Sequence, residues 1–246
     1  MINYHCHSTR SYCAERTMTL DLIANAVKQD SNIEATALTD HSFALYFPED
    51  IAWSWKYMTD SSVFDEYRKF GNQRIEEYLN AISHYPEFIS GIEIEMMHDN
   101  RFTLDLEYLT QFKVIIGSVH WLNPPSSCNI IDFWKQHTLT ILNKGVDILG
   151  HPFRWIMNYV DELPEKVMNE IIQAAYDTDT ALELNSHYEI STDTFMLRQA
   201  ADLNVKIAMS TDAHRPDELF DFTYHHLQIK SAGLTLNDLN ILDLKN

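Results

Sequence analysis

The sequence predicts an α/β fold, a closed barrel of parallel strands, and two observations support this prediction. Short apolar runs rich in β-branched residues alternate with longer segments whose apolar residues recur at helical spacing. Nearly every short run also ends at a His, Asp or Glu, and a closed parallel barrel brings all strand ends to one mouth. An open sheet would spread the same side chains along an edge too long for one site.

Seven short apolar runs are predicted to be strands. The repeated order of strand and helix implies parallel pairing with crossover helices. The predicted strands are Ile2–Tyr4, Ala35–Leu38, Phe88–Ile94, Val114–Val119, Val146–Leu149, Ala181–Leu184 and Val205–Met209.

The predicted helices have recognisable beginnings and ends. Ser62, with Asp65 three residues later, is a capping pattern that opens a helix over Phe64–Ile82. Gly145 follows a second helix, Ile130–Lys144, and glycine most easily takes the left-handed conformation at a helix end. The other predicted helices lie around Leu20–Val27, after Pro164, and from a cap at Ser191 or Thr192 to about Leu203.

Length and composition exclude several classes of protein. An α/β barrel of about 250 residues routinely forms one domain, so we expect residues 1–246 to be a single domain. The chain has 18 Lys and Arg against 36 Asp and Glu, a net charge of −18, which argues against binding of long nucleic acids. A hydrophobic fraction of 45% argues against intrinsic disorder.

Cysteine usage and the N-terminus predict a cytoplasmic protein. Cys6, Cys13 and Cys128 are few, odd in number and without paired spacing, so a disulfide framework is not expected. The N-terminus has no apolar leader, and no stretch approaches the roughly 20 apolar residues of a membrane span. We therefore expect no membrane partner, and the oligomeric state stays open.

The polar residues at the predicted strand ends form a candidate metal site. His5 and His7 alternate on one strand and therefore share a face, as do Asp212 and His214. Imidazoles and carboxylates together are the ligands of zinc, iron and manganese, and so many ligands imply two or three divalent ions. One H-x-H motif alone is weak evidence, but the full set recurs at successive strand ends. The set comprises His5, His7, Asp40, His41, Glu93, His120, His151, Glu183, Asn185, Asp212 and His214.

The ordered motifs resemble those of the PHP (polymerase and histidinol phosphatase) superfamily, over residues 1 to about 216. They are His5-Cys6-His7, Thr39-Asp40-His41, Gly91-Ile92-Glu93, Gly117–His120, Gly150-His151-Pro152 and Ser210–His214. The resemblance implies a distorted (β/α)7 barrel of the TIM-barrel-like PHP fold, with a trinuclear metal site. Asn3 stands where the family usually has an aspartate, two residues before the first histidine.

The resemblance also implies which residues hold each metal. Glu93 bridges two of the ions, and the last ligand of the third ion is expected to be Glu15, with Cys13 as the alternative. The implied sets are His5, His7, Glu93 and Asp212 for the first ion, Glu93, His120 and His151 for the second, and His41, His214 and Glu15 for the third.

The resemblance implies a metal-dependent phosphoric monoester hydrolase whose nucleophile is a hydroxide shared by two ions. The best candidate reaction converts histidinol phosphate to histidinol and phosphate, a step of histidine biosynthesis. Arg154 and Arg215 each follow a ligand histidine within three residues, and we expect their guanidinium groups to bind the phosphate of a small phosphorylated substrate. The alternative is that they form ordinary ion pairs within their loops. Glu93, Asp212 and His214 complete the expected catalytic residues.

Two other functions remain open at this point. One is a nucleotide or oligonucleotide phosphoesterase of the same superfamily, and the other is a metal-binding module without catalysis. The filled ligand positions argue against the second. An aromatic segment between Phe43 and Tyr57 either covers the substrate or packs against the helices.

Overall fold

The computed structural model describes residues 1–244 of the chain, which divide into two compact units. The first unit contains residues 1–116 and 211–221. The second contains residues 117–210 and the segment from Phe222 onward. The expectation of one domain over residues 1–246 stays a prediction.

Strands and helical segments alternate along the chain as predicted, but residues 1–244 form eight strands where seven were predicted, because Asn240–Ile241 pairs with the preceding strand. The strands are β1 (Ile2–Asn3), β2 (Ala35–Leu38), β3 (Phe88–Glu95), β4 (Val114–Ser118), β5 (Ile148–Leu149), β6 (Ala181–Asn185), β7 (Lys206–Ser210) and β8 (Asn240–Ile241). The helices are α1 (Leu20–Gln29), α2 (Ser42–Tyr46), α3 (Glu49–Ser54), α4 (Lys56–Thr59), α5 (Ser62–Ile82), α6 (Leu106–Leu109), α7 (Ile130–Leu142), α8 (Arg154–Met157), α9 (Glu165–Asp177), α10 (Asp193–Leu203) and α11 (Thr223–Ser231). Two short 3-10 helices cover Pro216–Glu218 and Leu236–Asp238.

The start of α5 differs from the predicted capping pattern. Ser62 is the first residue of the helix and does not cap it. The carboxylate of Asp60 instead accepts the backbone N–H of Ser62 at 3.1 Å and the hydroxyl of Ser62 at 2.6 Å. An aspartate at this position satisfies a backbone donor that the helix itself leaves unpaired.

In the first unit, β1, β2 and β3 are parallel neighbours, with Ile2 beside Ala35 and Leu38 beside Ser90. Helix α2 begins one residue after the candidate ligand His41 and packs on α5. Gly71 permits this close approach, because a Cβ at that position would lie 2.1 Å from the ring of Tyr46. The packing of α2 on α5 thus holds the helix that begins directly after His41.

In the second unit, β5, β6, β7 and β8 are parallel neighbours in that order. Helix α9 packs against both α7 and α10. The buried side chains of Trp134, Ile171 and Leu197 belong to these three helices. Parallel strands separated by helices in both units confirm the predicted α/β class.

A buried acid in the second unit leads to a prediction about stability. Burial raises the pKa of Asp193 to about 7, although the hydroxyl of Tyr224 donates to its carboxylate at 2.9 Å. Between pH 4 and pH 7 the unfolded chain loses this proton while the folded chain keeps it, so stability falls as the pH rises. Asp193→Asn removes this loss and is expected to stabilise the protein at pH 8 by up to about 4 kcal/mol.

Urea unfolding of wild type and Asp193→Asn at pH 4 and pH 8 measures this difference. The exposed Asp202, on the same helix, provides the control substitution Asp202→Asn. The same stability difference between Asp193→Asn and wild type at both pH values would contradict the assignment.

Candidate metal centre

The segment that carries Asp212 holds the first histidine pair in place. The backbone N–H of Asp212 donates to the carbonyl of His5 at 2.9 Å, and the N–H of His7 donates to the carbonyl of Ala213 at 3.0 Å. Asp212 has a left-handed backbone with φ of 49°. A non-glycine residue keeps such a conformation only where the surrounding structure enforces it. Residues with this kind of strained backbone are common at functional sites.

Asn3 anchors the same segment from the end of β1. Its side-chain oxygen accepts the backbone N–H of Thr211 at 2.9 Å, and its amide nitrogen donates to the hydroxyl of Thr211 at 3.0 Å. The residue that departs from the family pattern therefore contacts the residue just before Asp212.

Four buried donors form the centre of the candidate site, namely His5, His7, Glu93 and Asp212, each at most 2% exposed. Nε2 of His5 lies 3.3 Å from Oε2 of Glu93 and 3.4 Å from Oδ1 of Asp212. Nε2 of His7 lies 3.0 Å from the same Asp212 oxygen and 3.1 Å from Nε2 of His5. Ligands about 2.1 Å from a shared tetrahedral ion are separated by roughly 3.4 Å, so these spacings fit a divalent cation.

The charges in this cluster also suit a cation. Burial alone would raise the pKa of Asp212, but neighbouring histidines, chiefly His5 and His214, hold it well below its ordinary value. Burial, together with the proximity of His41, lowers the pKa of His7. An ionised carboxylate beside a neutral imidazole is the protonation state that metal binding requires.

A second cluster lies beside the first in the same unit. Its members are His7, Cys13, His41 and His214, each with a donor atom within 4.8 Å of the others. Nδ1 of His214 lies 2.7 Å from the backbone carbonyl of Asp212, and because a carbonyl only accepts, Nδ1 carries the proton. Nε2 of His214 is then the metal-binding nitrogen. Nδ1 of His41 lies 2.7 Å from Oε2 of Glu93, which joins the two clusters.

The structure brings Cys13 into this second cluster and does not bring Glu15 there. The side chain of Glu15 is exposed, and its Oε2 accepts the hydroxyl of Thr17 at 3.2 Å. The geometry therefore favours Cys13, the alternative that the sequence left open, as the donor that completes this cluster.

In the second unit, the rings of His120 and His151 lie 5.0 Å apart, centroid to centroid. The backbone N–H of His151 donates to Oε2 of Glu183 at 2.6 Å, and the same oxygen accepts the side-chain amide of Asn185 at 3.1 Å. His151 also has a left-handed backbone, with φ of 28°. Glu93 belongs to the first unit, so its bridging of two ions stays a prediction.

The two arginines expected to bind phosphate have different surroundings. The guanidinium of Arg154 lies 3.4 Å from the centre of the Tyr188 ring, which is 6.1 Å from the ring of His151. Arg215 is half exposed, and its guanidinium pairs with Glu218 at 3.0 Å. Arg215 therefore forms the loop ion pair that was the alternative to a role in phosphate binding.

Glu95 is a buried carboxylate that the sequence analysis did not single out. Its Oε2 accepts the hydroxyl of Thr103 at 3.0 Å, and its Oε1 lies 3.9 Å from Nδ1 of His41. Burial and the nearby Glu93 raise the pKa of Glu95. The sequence does contain a signal for this residue: Glu93 and Glu95 are two positions apart, and alternate residues of a strand share a face.

The aromatic segment after His41 packs mainly inside the first unit. The rings of Phe43, Phe47 and Tyr57 are buried, and Phe43 stacks on His41 with ring centres 4.4 Å apart. Trp53 is exposed over 42% of its surface, and Trp55 is partly exposed. Packing, one of the two possibilities left open by the sequence, therefore describes most of these rings.

The family of the chain follows from comparison with known proteins. The PHP domain family matches residues 3–187, which is most of the chain. The chain therefore belongs to the PHP domain family. Membership of this family confirms the predicted enzyme class, a metal-dependent phosphoesterase, and does not identify the substrate. Among residues 1–244, no helix is long and apolar enough to cross a membrane.

Two curated relatives have similar sequences. The chain is 29% identical over 171 residues to the DNA polymerase/3'-5' exonuclease PolX of Bacillus subtilis (strain 168), a match over 68% of this chain but only 29% of PolX. It is 28% identical over 176 residues to a probable phosphatase of Thermoanaerobacter sp. (strain X514), a match over 68% of this chain and 67% of that protein.

Two solved structures share the fold. A histidinol phosphate phosphatase of Lactococcus lactis, solved with zinc, L-histidinol and phosphate, matches with a TM-score of 0.57 and 17% identity over 95% of this chain and 94% of that one. A chain in the structure of archaeal ribonuclease P with mature tRNA matches with a TM-score of 0.53 and 11% identity over 96% and 85%. At these identities the matches show the fold alone. They confirm the predicted fold class, a distorted TIM-like barrel.

Proposed function

We propose that this chain hydrolyses a small phosphomonoester, with histidinol phosphate as the first substrate to test. In this proposal the reaction is a step of histidine biosynthesis and takes place in the cytoplasm. The observation that carries the proposal is the buried cluster of His5, His7, Glu93 and Asp212, whose spacings fit a divalent cation. The zinc, L-histidinol and phosphate bound to the Lactococcus lactis enzyme support this choice of metal and substrate. In this proposal residues 1–246 act as one catalytic domain.

The proposed enzyme binds two to three divalent ions of zinc, iron or manganese. When bound, such ions acidify water and offset the negative charge of a phosphate. The residues that would hold them are His5, His7, Glu93 and Asp212 for the first ion, Glu93, His120 and His151 for the second, and His41, His214 and either Cys13 or Glu15 for the third.

The chain's own residues supply binding and orientation. The ionised Asp212 and the neutral His7 present lone pairs at short distances inside a buried cluster. Arg154, at the start of α8, offers a planar guanidinium that can donate two parallel hydrogen bonds to phosphate oxygens. Its stacking on Tyr188 limits the orientations of that guanidinium.

The test compares phosphate release from histidinol phosphate, a mononucleotide and a generic aryl phosphate by protein loaded with zinc, iron or manganese. We expect two to three bound ions per chain by elemental analysis and the highest kcat/KM for histidinol phosphate. Less than one ion per chain after reconstitution would contradict the metal assignment. Metal-loaded protein that releases phosphate from none of these substrates would support the module without catalysis.

The similarity to PolX favours a second candidate, a nucleotide or oligonucleotide phosphoesterase. The net charge of −18 argues against long nucleic acids, because their phosphates are bound by basic side chains. A mononucleotide does not impose this requirement. Faster turnover of mononucleotides or short oligonucleotides than of histidinol phosphate would select this candidate.

We expect Cys13 to be the last donor of the third metal position, and cobalt substitution makes this visible. A cysteine thiolate bound to Co²⁺ gives a charge-transfer absorption band in the near ultraviolet, whereas a carboxylate does not. Cys13→Ser should abolish the band, and Glu15→Gln should leave it intact. Cys128→Ser is the control, because Cys128 is also an exposed cysteine but lies in the other unit. A band that survives Cys13→Ser would exclude Cys13 as a ligand.

A further inference from the structure

Ser11 connects the segment that carries His7 with the segment that carries His41. Its hydroxyl donates to Oδ1 of Asp40 at 2.7 Å and accepts the backbone N–H of His41 at 3.0 Å. The same Oγ atom lies 3.0 Å from Nδ1 of His7. Ser11 is 1% exposed and Asp40 is fully buried, so this junction lies away from bulk water.

The hydrogen-bond count at this hydroxyl determines the tautomer of His7. A serine hydroxyl has one proton and two lone pairs. The proton goes to Asp40, because a carboxylate only accepts, and the N–H of His41 occupies one lone pair. The contact with His7 must therefore be donated by the ring, which places a proton on Nδ1.

This tautomer is the one that suits the candidate metal centre. With Nδ1 protonated, the neutral ring that a cation binds has its lone pair on Nε2. It is Nε2 that lies 3.1 Å from Nε2 of His5 and 3.0 Å from Oδ1 of Asp212, a hydrogen-bond distance at which Nε2 can donate to the carboxylate as long as no cation lies between them. The hydroxyl of Ser11 thus holds the ring with its metal-binding nitrogen directed into the buried donor cluster.

Asp40 in turn orients Ser11. Its carboxylate accepts the backbone N–H of Ser8 at 2.8 Å, the hydroxyl of Ser8 at 2.7 Å and the hydroxyl of Ser11 at 2.7 Å. These three donors hold the carboxylate in one orientation. The hydroxyl of Ser11 therefore cannot rotate toward His7 without losing a hydrogen bond to a carboxylate, which is stronger than a neutral one.

We propose that Ser11, oriented by Asp40, is a positioning residue that fixes the tautomer of His7 and presents its Nε2 to a divalent cation. The inference rests on the proposed function, because the cation belongs to that proposal. Metal-binding histidines commonly donate their second ring N–H to a carboxylate, a carbonyl or water, and loss of that partner costs about 10- to 100-fold in metal affinity. Here a serine hydroxyl lies between the ring and the carboxylate.

The first experiment reads the tautomer directly in the metal-free protein. Long-range ¹H–¹⁵N NMR distinguishes a protonated ring nitrogen from an unprotonated one, and His7→Gln identifies the signal of His7. We expect Nδ1 of His7 to be protonated, because Ser11 leaves it only an acceptor. A His7 ring whose Nδ1 is unprotonated would overturn the inference whatever the variants show.

The second experiment compares Ser11→Ala with Ser8→Ala. Both substitutions remove a hydroxyl that donates to Asp40, but only the hydroxyl of Ser11 contacts His7. In competition with a chelator, Ser11→Ala is expected to bind zinc about 10- to 100-fold more weakly and to show a mixture of His7 tautomers. Ser8→Ala leaves the backbone N–H of residue 8 and the hydroxyl of Ser11 on Oδ1 of Asp40, so we expect it to stay close to wild type in both measurements. Equal behaviour of the two variants would overturn the inference.

Asp40→Asn provides a variant that keeps the serine hydroxyl. One amide oxygen cannot serve three donors as a carboxylate does, so the His7 tautomers should again mix, and an unchanged tautomer would contradict the role of Asp40. Failure of the wild-type protein to bind zinc would contradict the proposed function, while its NMR spectrum still tests the tautomer. Tight zinc binding by wild type and Ser11→Ala alike would contradict this inference alone.

Discussion

Glu93→Gln is expected to abolish phosphate release while the fold stays intact. One oxygen of Glu93 lies 3.3 Å from Nε2 of His5, 3.6 Å from Nε2 of His7 and 2.7 Å from Nδ1 of His41. This single carboxylate therefore faces donors of both clusters in the first unit. A neutral amide cannot offset the charge of two cations, so we expect kcat/KM to fall at least about a thousandfold, equivalent to ~4 kcal/mol.

Three measurements check this prediction together. They are kcat/KM on the best substrate of the panel, metal content by elemental analysis, and the circular dichroism spectrum as a test of folding. Glu107→Gln, an exposed substitution in the same unit, controls for the loss of one negative charge. A Glu93→Gln protein that keeps its metal and most of its activity would show that Glu93 does not bridge the ions.

Much of this centre was predictable because local rules determine it. The position of Glu93 inside an apolar run follows from the two-residue period of strands. His5 and His7 lie beyond β1, but they flank Cys6, whose isolated parallel bridge with Ala213 continues the extended pairing. Parallel pairing of β1, β2 and β3 in chain order then places the ends of these strands beside one another. The isolated parallel bridge between His41 and Glu93 is the observed result.

The remaining features depend on the path of irregular segments, which carry no periodic signal. The turn after His7 decides whether Cys13 or Glu15 approaches the histidines, and both residues satisfy the chemistry of a ligand. The role of Ser11 depends on hydrogen bonds to Asp40 and His7, one of which spans 29 residues of sequence. Such contacts follow from three-dimensional packing and not from the spacing of residue types.

Arg154→Ala is expected to lower kcat/KM for a phosphomonoester by roughly ten- to a hundredfold, and Arg215→Ala is expected to cost less. A bidentate guanidinium–phosphate contact contributes about 1.5–3 kcal/mol, which corresponds to that loss of rate. Arg154 stacks on Tyr188 close to His151, whereas the guanidinium of Arg215 is already engaged by Glu218. The structure thus separates two arginines that the sequence treated alike.

The substrate dependence of this loss distinguishes a phosphatase from a nuclease. A monoester presents a dianionic terminal phosphate to a guanidinium, while an internal diester has less charge and a second substituent in place of one oxygen. Arg154→Ala should therefore reduce monoester hydrolysis more than hydrolysis of a matched diester, and Arg154→Lys, which keeps the charge but not the planar fork, should restore only part of it. Two results together would contradict this prediction: diesters or single-stranded DNA react faster than monoesters, and both arginine-to-alanine variants behave like wild type. In that case neither arginine binds the terminal phosphate of the substrate. The chain would then act on internal phosphodiesters, because no arginine would contribute binding energy specific to the terminal phosphate of a monoester.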